Sequence, residues 1–336
     1  MPASAVSTLT DPDAYHAALR NAEVEGVVTA RGDYRAELTW IVLHRLWMQR
    51  GDETLPRVLN FKSKGPRKGI FFAIDQSQAP QHVRGKELAK GEVITGLDYT
   101  DHLRSSAVCR WGAMSLTVED LAAAGQAIVG RELTASSLTY RVRPPPATLS
   151  RLLNLHEAAG HLAKTAPDIL AKDEVARAIE EGLVHAMVNC MTEGEAVAPR
   201  AVDSNHAAVM RRLEEALLAN SDRTLYLADL CVAAGASART LLTCCHERLG
   251  MGPIKYLWYL WLRRMHLAQR ALRAADPATS TVTEIATEYG FWELGRFSVA
   301  YRELFGETPS ASLRRPPEDP QTRQNEGSPW QFAETA

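Results

Sequence analysis

TVTEIATEYGFWELGRFSVAYRELFGETPSASLRR, residues Thr281–Arg315, decides how the C-terminal part of this chain is read. Val282, Ile285, Ala286 and Tyr289 recur at helical spacing, and Phe297, Ala300, Tyr301 and Leu304 form a second apolar stripe. Gly290 lies between them, where a residue tolerant of positive φ lets the chain turn sharply. Gly306 and Pro309 then stop the second helix and open one further helical turn. The pattern predicts two short helices joined by a tight turn. In that layout the second helix can lie in the major groove of DNA. A single such unit also occurs as plain scaffolding, so its meaning depends on what surrounds it.

Working outward, TLYLADLCVAAGASARTLLTCCHERLG (224–250) repeats the layout, with its turn at Gly235–Ala236 and Ser237 as N-cap of the following helix. PIKYLWYLWLRRMHLAQRALRAA (253–275) is a long helix begun by Pro253, and NHAAVMRRLEEALLAN (205–220) is amphipathic. Residues 204–315 hold 14 Lys/Arg against 11 Asp/Glu, in a chain whose net charge is −2. This mild basic bias suits contact with nucleic acid. At 100° per residue, Leu241, Cys244 and Cys245 share the core face of the first candidate recognition helix. Arg239, Thr243 and His246 fall opposite, with Leu242 at the edge. In the second, Gly295, Val299 and Arg302 oppose the core stripe, flanked by Leu294, Arg296 and Ser298. Arg239 and Arg296 offer paired donors to guanine or phosphate. Leu242, Thr243, Leu294 and Val299 suit thymine methyls, and His246 and Arg302 suit phosphates. Gly295 costs about 1 kcal/mol inside a helix, and close approach of the backbone to DNA would account for it.

The N-terminal part has a different texture. Residues 1–20 read as a flexible start and a short helix capped by Asp11 or Asp13. From 24 to 116 short β-rich runs follow one another: VEGVVTA, the long LTWIVLHRLW, PRVLNF, GIFFAI and GEVITG, with the basic surface turn SKGPRKG (63–69) between two of them. They predict an antiparallel sheet closed into a small barrel or sandwich. Both faces of Leu38–Trp47 are apolar, which implies a strand that is central or covered on both sides. Helices are expected over 117–130, with Thr117 and Asp120 as a capping box, and over 147–164 and 167–191, after a stiff Pro144–Pro146 link. The fold class expected is α+β. The sensor and dimerisation domain is 1–195, the linker 196–204, the helical domain 205–315 and a disordered tail 316–336.

Other classes find little foothold. No run of about 18 apolar residues occurs, and the first residues lack a signal-peptide pattern, so a cytoplasmic location is expected. The five cysteines form no CxxC pair and are expected reduced and mostly buried. HEAAGH (156–161) places two histidines five apart, about 140° around a helix, where they cannot share a metal. His82 has no HxH neighbour, and no nucleophile elbow is present. No catalytic residue, metal or cofactor is expected. An enzymatic or metabolite-binding protein with a purely structural helical part is the alternative.

Taken together, residues 205–315 resemble the DNA-binding domain of the AraC/XylS family of bacterial transcription regulators. The resemblance rests on LADLCVAAGASARTLLTCCHERLGMGPIKYL, then a spacer helix, then the frame IA…GF…F…YR…FG.TP. The FWELGRF variant is similar to the ethanolamine-operon regulator branch. The family implies seven helices in two helix-turn-helix units, and an N-terminal cupin-like domain that senses a small effector or dimerises. It further implies double-stranded DNA and RNA polymerase as partners, a homodimer, and action most often as an activator. The chain departs from the family pattern at Thr243, Val299 and Trp261, where many relatives carry basic residues. YLWYLW (256–261) is more aromatic than one helix can bury within its own domain: either Tyr256 and Leu257 are core and the rest partly exposed, or Trp258 and Trp261 dock on the N-terminal domain.

Overall fold

The computed structural model describes residues 2–30, 32–95, 101–134, 140–197, 202–220 and 225–315. The expected tail 316–336, and residues 198–201 of the expected linker, lie outside them. The chain divides into two compact units between Ala201 and Val202.

The N-terminal unit runs β1 (Ala3–Leu9), α1 (Pro12–Ala18), β2 (Ala22–Val28), β3 (Ala36–Val42), β4 (Trp47–Glu53), β5 (Arg57–Ser63), β6 (Arg67–Ala73), β7 (His82–Val83), β8 (Lys86–Glu87), β9 (Val93–Thr95), β10 (Asp101–Arg104) and β11 (Cys109–Thr117). It continues through α2 (Val118–Val129), β12 (Arg141–Arg143), α3 (Pro146–Thr165), α4 (Pro167–Leu170), α5 (Asp173–Thr192) and β13 (Glu195–Ala196). One sheet has the order β1-β3-β4-β11-β6-β9-β12-β13 and the other β2-β5-β10-β7-β8. The paired strands are antiparallel.

The larger sheet is apolar on both faces because each is covered. Leu38, Phe71, Ile94 and Trp111 meet Val24, Val28, Leu59 and Leu103 of the smaller sheet. On the other face Ile41, Met48, Phe72, Met114 and Leu116 pack with Leu121 of α2, Leu152 of α3 and Leu183 and Met187 of α5. Successive side chains of a strand point to opposite faces, so alternate residues of β3 and β11 supply the two cores. The capped start of α1 is as expected: the Asp11 carboxylate accepts from the backbone N–H groups of Asp13 and Ala14. The capping of α2 by Thr117 is likewise present, its hydroxyl accepting from Asp120 N at 3.1 Å.

Several expectations are corrected. The start of the chain is strand β1, paired along β3 from Ala3↔Val42 to Leu9↔Ala36. LTWIVLHRLW is a hairpin and not one strand: Leu43 N donates to Leu46 O at 2.9 Å and reverses the chain around exposed His44 and Arg45. The cause lies far away in sequence. The buried carboxylate of Glu180 on α5 accepts from Arg45 N (2.7 Å), Leu46 N (3.1 Å) and Arg45 Nε (3.1 Å). Burial alone would raise the Glu180 pKa, but these donors hold it below its ordinary value. Residues 167–191 hold two helices, because Leu170 is drawn into the core and Lys172 is extended. Asp173 and Glu174 then start α5, where acidic residues suit the helix dipole. The 63–69 segment is a turn only in its middle, since Arg67–Gly69 belong to β6.

The C-terminal unit is helical: α6 (Val202–Ala219), α7 (Leu227–Ala234), α8 (Ala238–Leu249), α9 (Pro253–Ala274), α10 (Val282–Glu288), α11 (Leu294–Phe305) and α12 (Pro309–Arg314). Met265, Leu272, Ile285, Phe291, Phe297, Tyr301 and Leu313 form the core that joins α9 to α10–α12. Leu304 is exposed, which corrects its assignment to the core stripe. Phe305 takes that place, because Phe297, Tyr301 and Phe305 at spacing i, i+4, i+8 face the core, and Phe305 packs against His266 at 5.1 Å. Trp261 is half-buried against this unit's own core, and exposed Trp258 lies edge-on to Tyr259.

His156 of α3 is buried against Phe72, with ring centroids 5.0 Å apart. Burial, and then the nearby Arg50 charge, depress its pKa to about 3. It is therefore neutral in the folded chain at pH 6.5, while the unfolded chain begins to bind a proton there. Stability from this group is present above about pH 6.5 and is lost as pH falls toward 3. In urea titrations the wild type should lose about 1 kcal/mol per pH unit over that window from this site. His156→Leu should show a correspondingly shallower pH dependence, and an unchanged slope would refute the assignment.

Candidate nucleic-acid interface

Two bihelical units carry the candidate surface, and each is fixed from within. In the first, α7 ends at Gly235 with φ 59°, and Ser237 caps α8 by accepting from Thr240 N at 3.2 Å. Arg212 of α6 reaches under the turn, its Nε donating to Ala234 O at 2.8 Å. Leu230, Leu241, Cys244, Cys245 and Leu249 are buried, so one face of α8 is committed to the interior. Burial raises the Cys245 thiol to about 12 and also raises that of Cys244, so both stay protonated. Cys109 and Cys190 are buried as well, Cys231 is half-buried, and all five cysteines are unbridged.

In the second unit Thr281 and Glu284 cap α10 reciprocally. Gly290 turns the chain at φ 78°. α11 is held by a buried polar chain: Tyr301 Oη to Ser312 Oγ at 2.6 Å, Ser312 Oγ to Glu307 Oε1 at 2.7 Å, and Arg273 Nη2 to Glu307 Oε1 at 3.2 Å. These bonds tie α11 to α12 and to α9, and so fix the rotation of its outer face.

Arg239, Leu242, Thr243 and His246 are exposed on α8. Thr243 Oγ1 donates to Arg239 O at 3.0 Å, which leaves the methyl group as its outward-facing chemistry. On α11, Gly295, Arg296, Val299 and Arg302 are exposed. Leu294 and Ser298 are only half-buried flanks: Leu294 packs against the core, and Ser298 Oγ donates to Leu294 O at 2.8 Å. A Cβ built on Gly295 meets nothing within 4 Å, so no internal contact requires a glycine there. Two further side chains sit at the start of α11 that the helical-face argument passed over. Trp292 is 60% exposed, and Glu293 pairs with Arg296 at 2.8 Å. The pair was legible as an i, i+3 spacing of opposite charges. Both partners are exposed, so little energy is needed to part them.

The helical part is similar in sequence to known proteins. Residues 230–315 match the helix-turn-helix domain family. The probable thc operon regulatory protein of Rhodococcus erythropolis is 36% identical over 109 residues, which are 32% of this chain and 32% of that protein. XylDLEGF operon transcriptional activator 1 of Pseudomonas putida is 38% identical over 98 residues, 29% of this chain and 28% of its own. The matches thus span about a third of these relatives' length. A solved probable AraC family transcriptional regulator from Rhodopseudomonas palustris CGA009 is 33% identical, covers 32% of this chain and 98% of that one, and gives a TM-score of 0.22.

The two glycines should respond oppositely to the same change. Gly290→Ala forces a side chain into left-handed backbone and should cost about 1–2 kcal/mol. Gly295→Ala meets no neighbour and should stabilise the unit by about 0.5–1 kcal/mol. Thermal unfolding followed by far-UV circular dichroism separates the two, and a destabilised Gly295→Ala would contradict the open space seen beside that residue.

Proposed function

We propose that this chain, whose residues 230–315 match the helix-turn-helix domain family and whose helical part is similar to operon regulators, is a sequence-specific DNA-binding regulator of the AraC/XylS type acting as an activator. The observation that carries the reading is the repeated bihelical unit, in which each second helix buries one face and leaves the other in solvent. α8 and α11 would enter adjacent major-groove segments on one side of the duplex. Arg239 and Arg296 would read guanine or hold phosphate, and Leu242, Leu294, Thr243 and Val299 would meet thymine methyls. His246, Arg302 and Ser298 would lie near phosphates, and Gly295 would let the backbone of α11 approach closely. Trp292, exposed at the start of α11, would add one contact beyond the expected set. Glu293 would hold Arg296 ready and then compete with phosphate for it.

The activating direction extends to this chain what the Pseudomonas putida relative is named for. RNA polymerase is the partner that follows from it, and a homodimer on two sites is the assembly. The N-terminal unit would bind a small effector between its sheets or serve dimerisation. An effector can act only through unequal affinity for two states of the protein. Among the described residues no single helix is long and apolar enough to cross a membrane, and a cytoplasmic protein fits this reading.

A band-shift selection from a promoter library, repeated over a salt series, tests the core of the proposal. It should yield sequence-dependent binding that weakens steeply with salt. No enriched site at low salt would sink it. Arg239→Ala should cost about 1–3 kcal/mol and relax sequence choice at one position. Gly295→Leu should fold at least as stably as the wild type yet lose site-specific binding. Glu293→Ala should tighten binding, and weaker binding would show that Glu293 contacts DNA favourably.

A further inference from the structure

A strand at the end of a sheet presents a row of N–H and C=O groups that can pair with another chain, and folds blunt such edges with short strands or charges. The two sheets of the N-terminal unit end in β1 and β13, and in β2 and β8. Three of these ends are blunted. β8 and β13 hold two residues each. β2 carries Glu23 and Glu25, both exposed, so a second β2 laid antiparallel along its whole length would set Glu25 against the partner's Glu25. β1 differs. Its sequence ASAVSTL runs for seven residues without a charge, a glycine or a proline. One side pairs along β3. Among the described residues the other side meets no hydrogen-bond partner. Ile169 of α4, a helix that packs beside β1, is 45% exposed and adds an apolar rim to this open edge.

We propose, resting on the homodimer reading above, that β1 pairs antiparallel with β1 of a second copy of this chain and joins the two larger sheets into one. A second copy is the partner that the strand's own sequence suits. About a two-fold axis at Val6, Val6 meets the partner's Val6, Ser4 the partner's Thr8, Ala5 the partner's Ser7 and Ala3 the partner's Leu9. Each pair joins small, apolar or hydroxyl-bearing side chains, and no charge meets a charge. Such an isologous contact uses both open edges at once. The sheet ends that remain are blunted, so association stops at two copies. The helical face of the unit suits this role less. Arg151, Glu157, His161, Arg177, Glu181 and His185 of α3 and α5 are exposed there, and interface cores are depleted of charged residues. A seven-residue edge is a small interface, so the pairing belongs to the micromolar range and not the nanomolar.

Sedimentation velocity of the purified full-length chain, without DNA and over a concentration series, tests this pairing. The wild type should pass reversibly from monomer to dimer and go no further. Ser4→Lys with Thr8→Lys sets like charges opposite each other at two places across the axis and should weaken the dimer about tenfold or more. Ser4→Lys with Thr8→Glu changes the same two positions but sets opposite charges there, and should return the dimer to about wild-type strength. Circular dichroism checks the fold of each. If the double variants do not fold, Ile169→Lys, at an exposed position on the rim, is read instead and should weaken the dimer several-fold. A wild-type dimer that these variants leave unchanged overturns the β1 edge, while the homodimer reading stands on another surface. Equal weakening by the two double variants overturns the antiparallel register and the proposal with it. A wild-type chain that stays monomeric throughout also overturns the proposal, and its stoichiometry on a two-site DNA then decides the homodimer reading separately.

Discussion

Both bihelical units turn on one backbone requirement: a residue that can hold positive φ at the end of the first helix. Gly235 and Gly290 meet it at φ 59° and 78°. A side chain there would strain against its own carbonyl, and a relaxed turn would swing the next helix away from the core it packs on. The rest of each unit follows from the direction the turn sets. In the second unit, Phe291 and Phe297 close on each other at 4.9 Å, and Tyr301 comes within reach of Ser312. The outer faces of α8 and α11 are thus products of inner geometry, and residues with no outward contact decide where Arg239 and Arg296 point.

The N-terminal unit uses buried charge in a comparable way. Glu180 is an acceptor for backbone N–H groups that the hairpin cannot satisfy by itself, and it ties β3–β4 to α5 across 134 residues of sequence. Glu53 and Arg57 form a pair with almost no exposed surface, surrounded by Tyr15, Tyr34 and Trp111. Burial, and then the Glu53 charge, hold the Tyr15 and Tyr34 hydroxyls protonated. Gly51 leaves room for this group, because a Cβ there would come within 2.1 Å of Tyr15 Oη. Removing one partner of such a pair strands the other, so the cluster favours a single arrangement of the sheets it lies between.

How much of this was legible from sequence differs between the two halves for a physical reason. The C-terminal helices announce themselves locally, through Ser237 and Thr281 as caps, Gly235 and Gly290 as turns, and stripes of period 3.6. Most of the core and the outer faces follow from them. Leu304 misled because it continues the stripe by one local step, while Phe305 wins the core through its contacts with Tyr301 and His266. The sheets depend on distant partners. Nothing within LTWIVLHRLW marks His44–Arg45 as a turn, since the acceptor that secures it is Glu180. β1 was missed because ASAVSTL is weakly apolar, and only its pairing with β3 orders it. On the candidate interface, rotation about the helix axis gave the exposed faces. It did not show that the Ser298 and Thr243 hydroxyls are spent on their own helices.

The 22-residue helix α9 spans about 33 Å at 1.5 Å per residue, near the ~34 Å advance of one turn of duplex DNA. A continuous helix transmits twist as well as length. One residue added within α9 would rotate everything beyond it by about 100° and advance it by about 1.5 Å. One base pair added to DNA rotates by only about 35° and advances by about 3.4 Å. The two increments share no small common multiple, so an insertion on one side cannot be matched by an insertion on the other. For a protein that grips DNA through both units, the separation of the two contacted segments would behave as a gear ratio cut into α9. New binding sites would then arise by exchanging side chains on α8 and α11, while the length of the helix between them stays fixed.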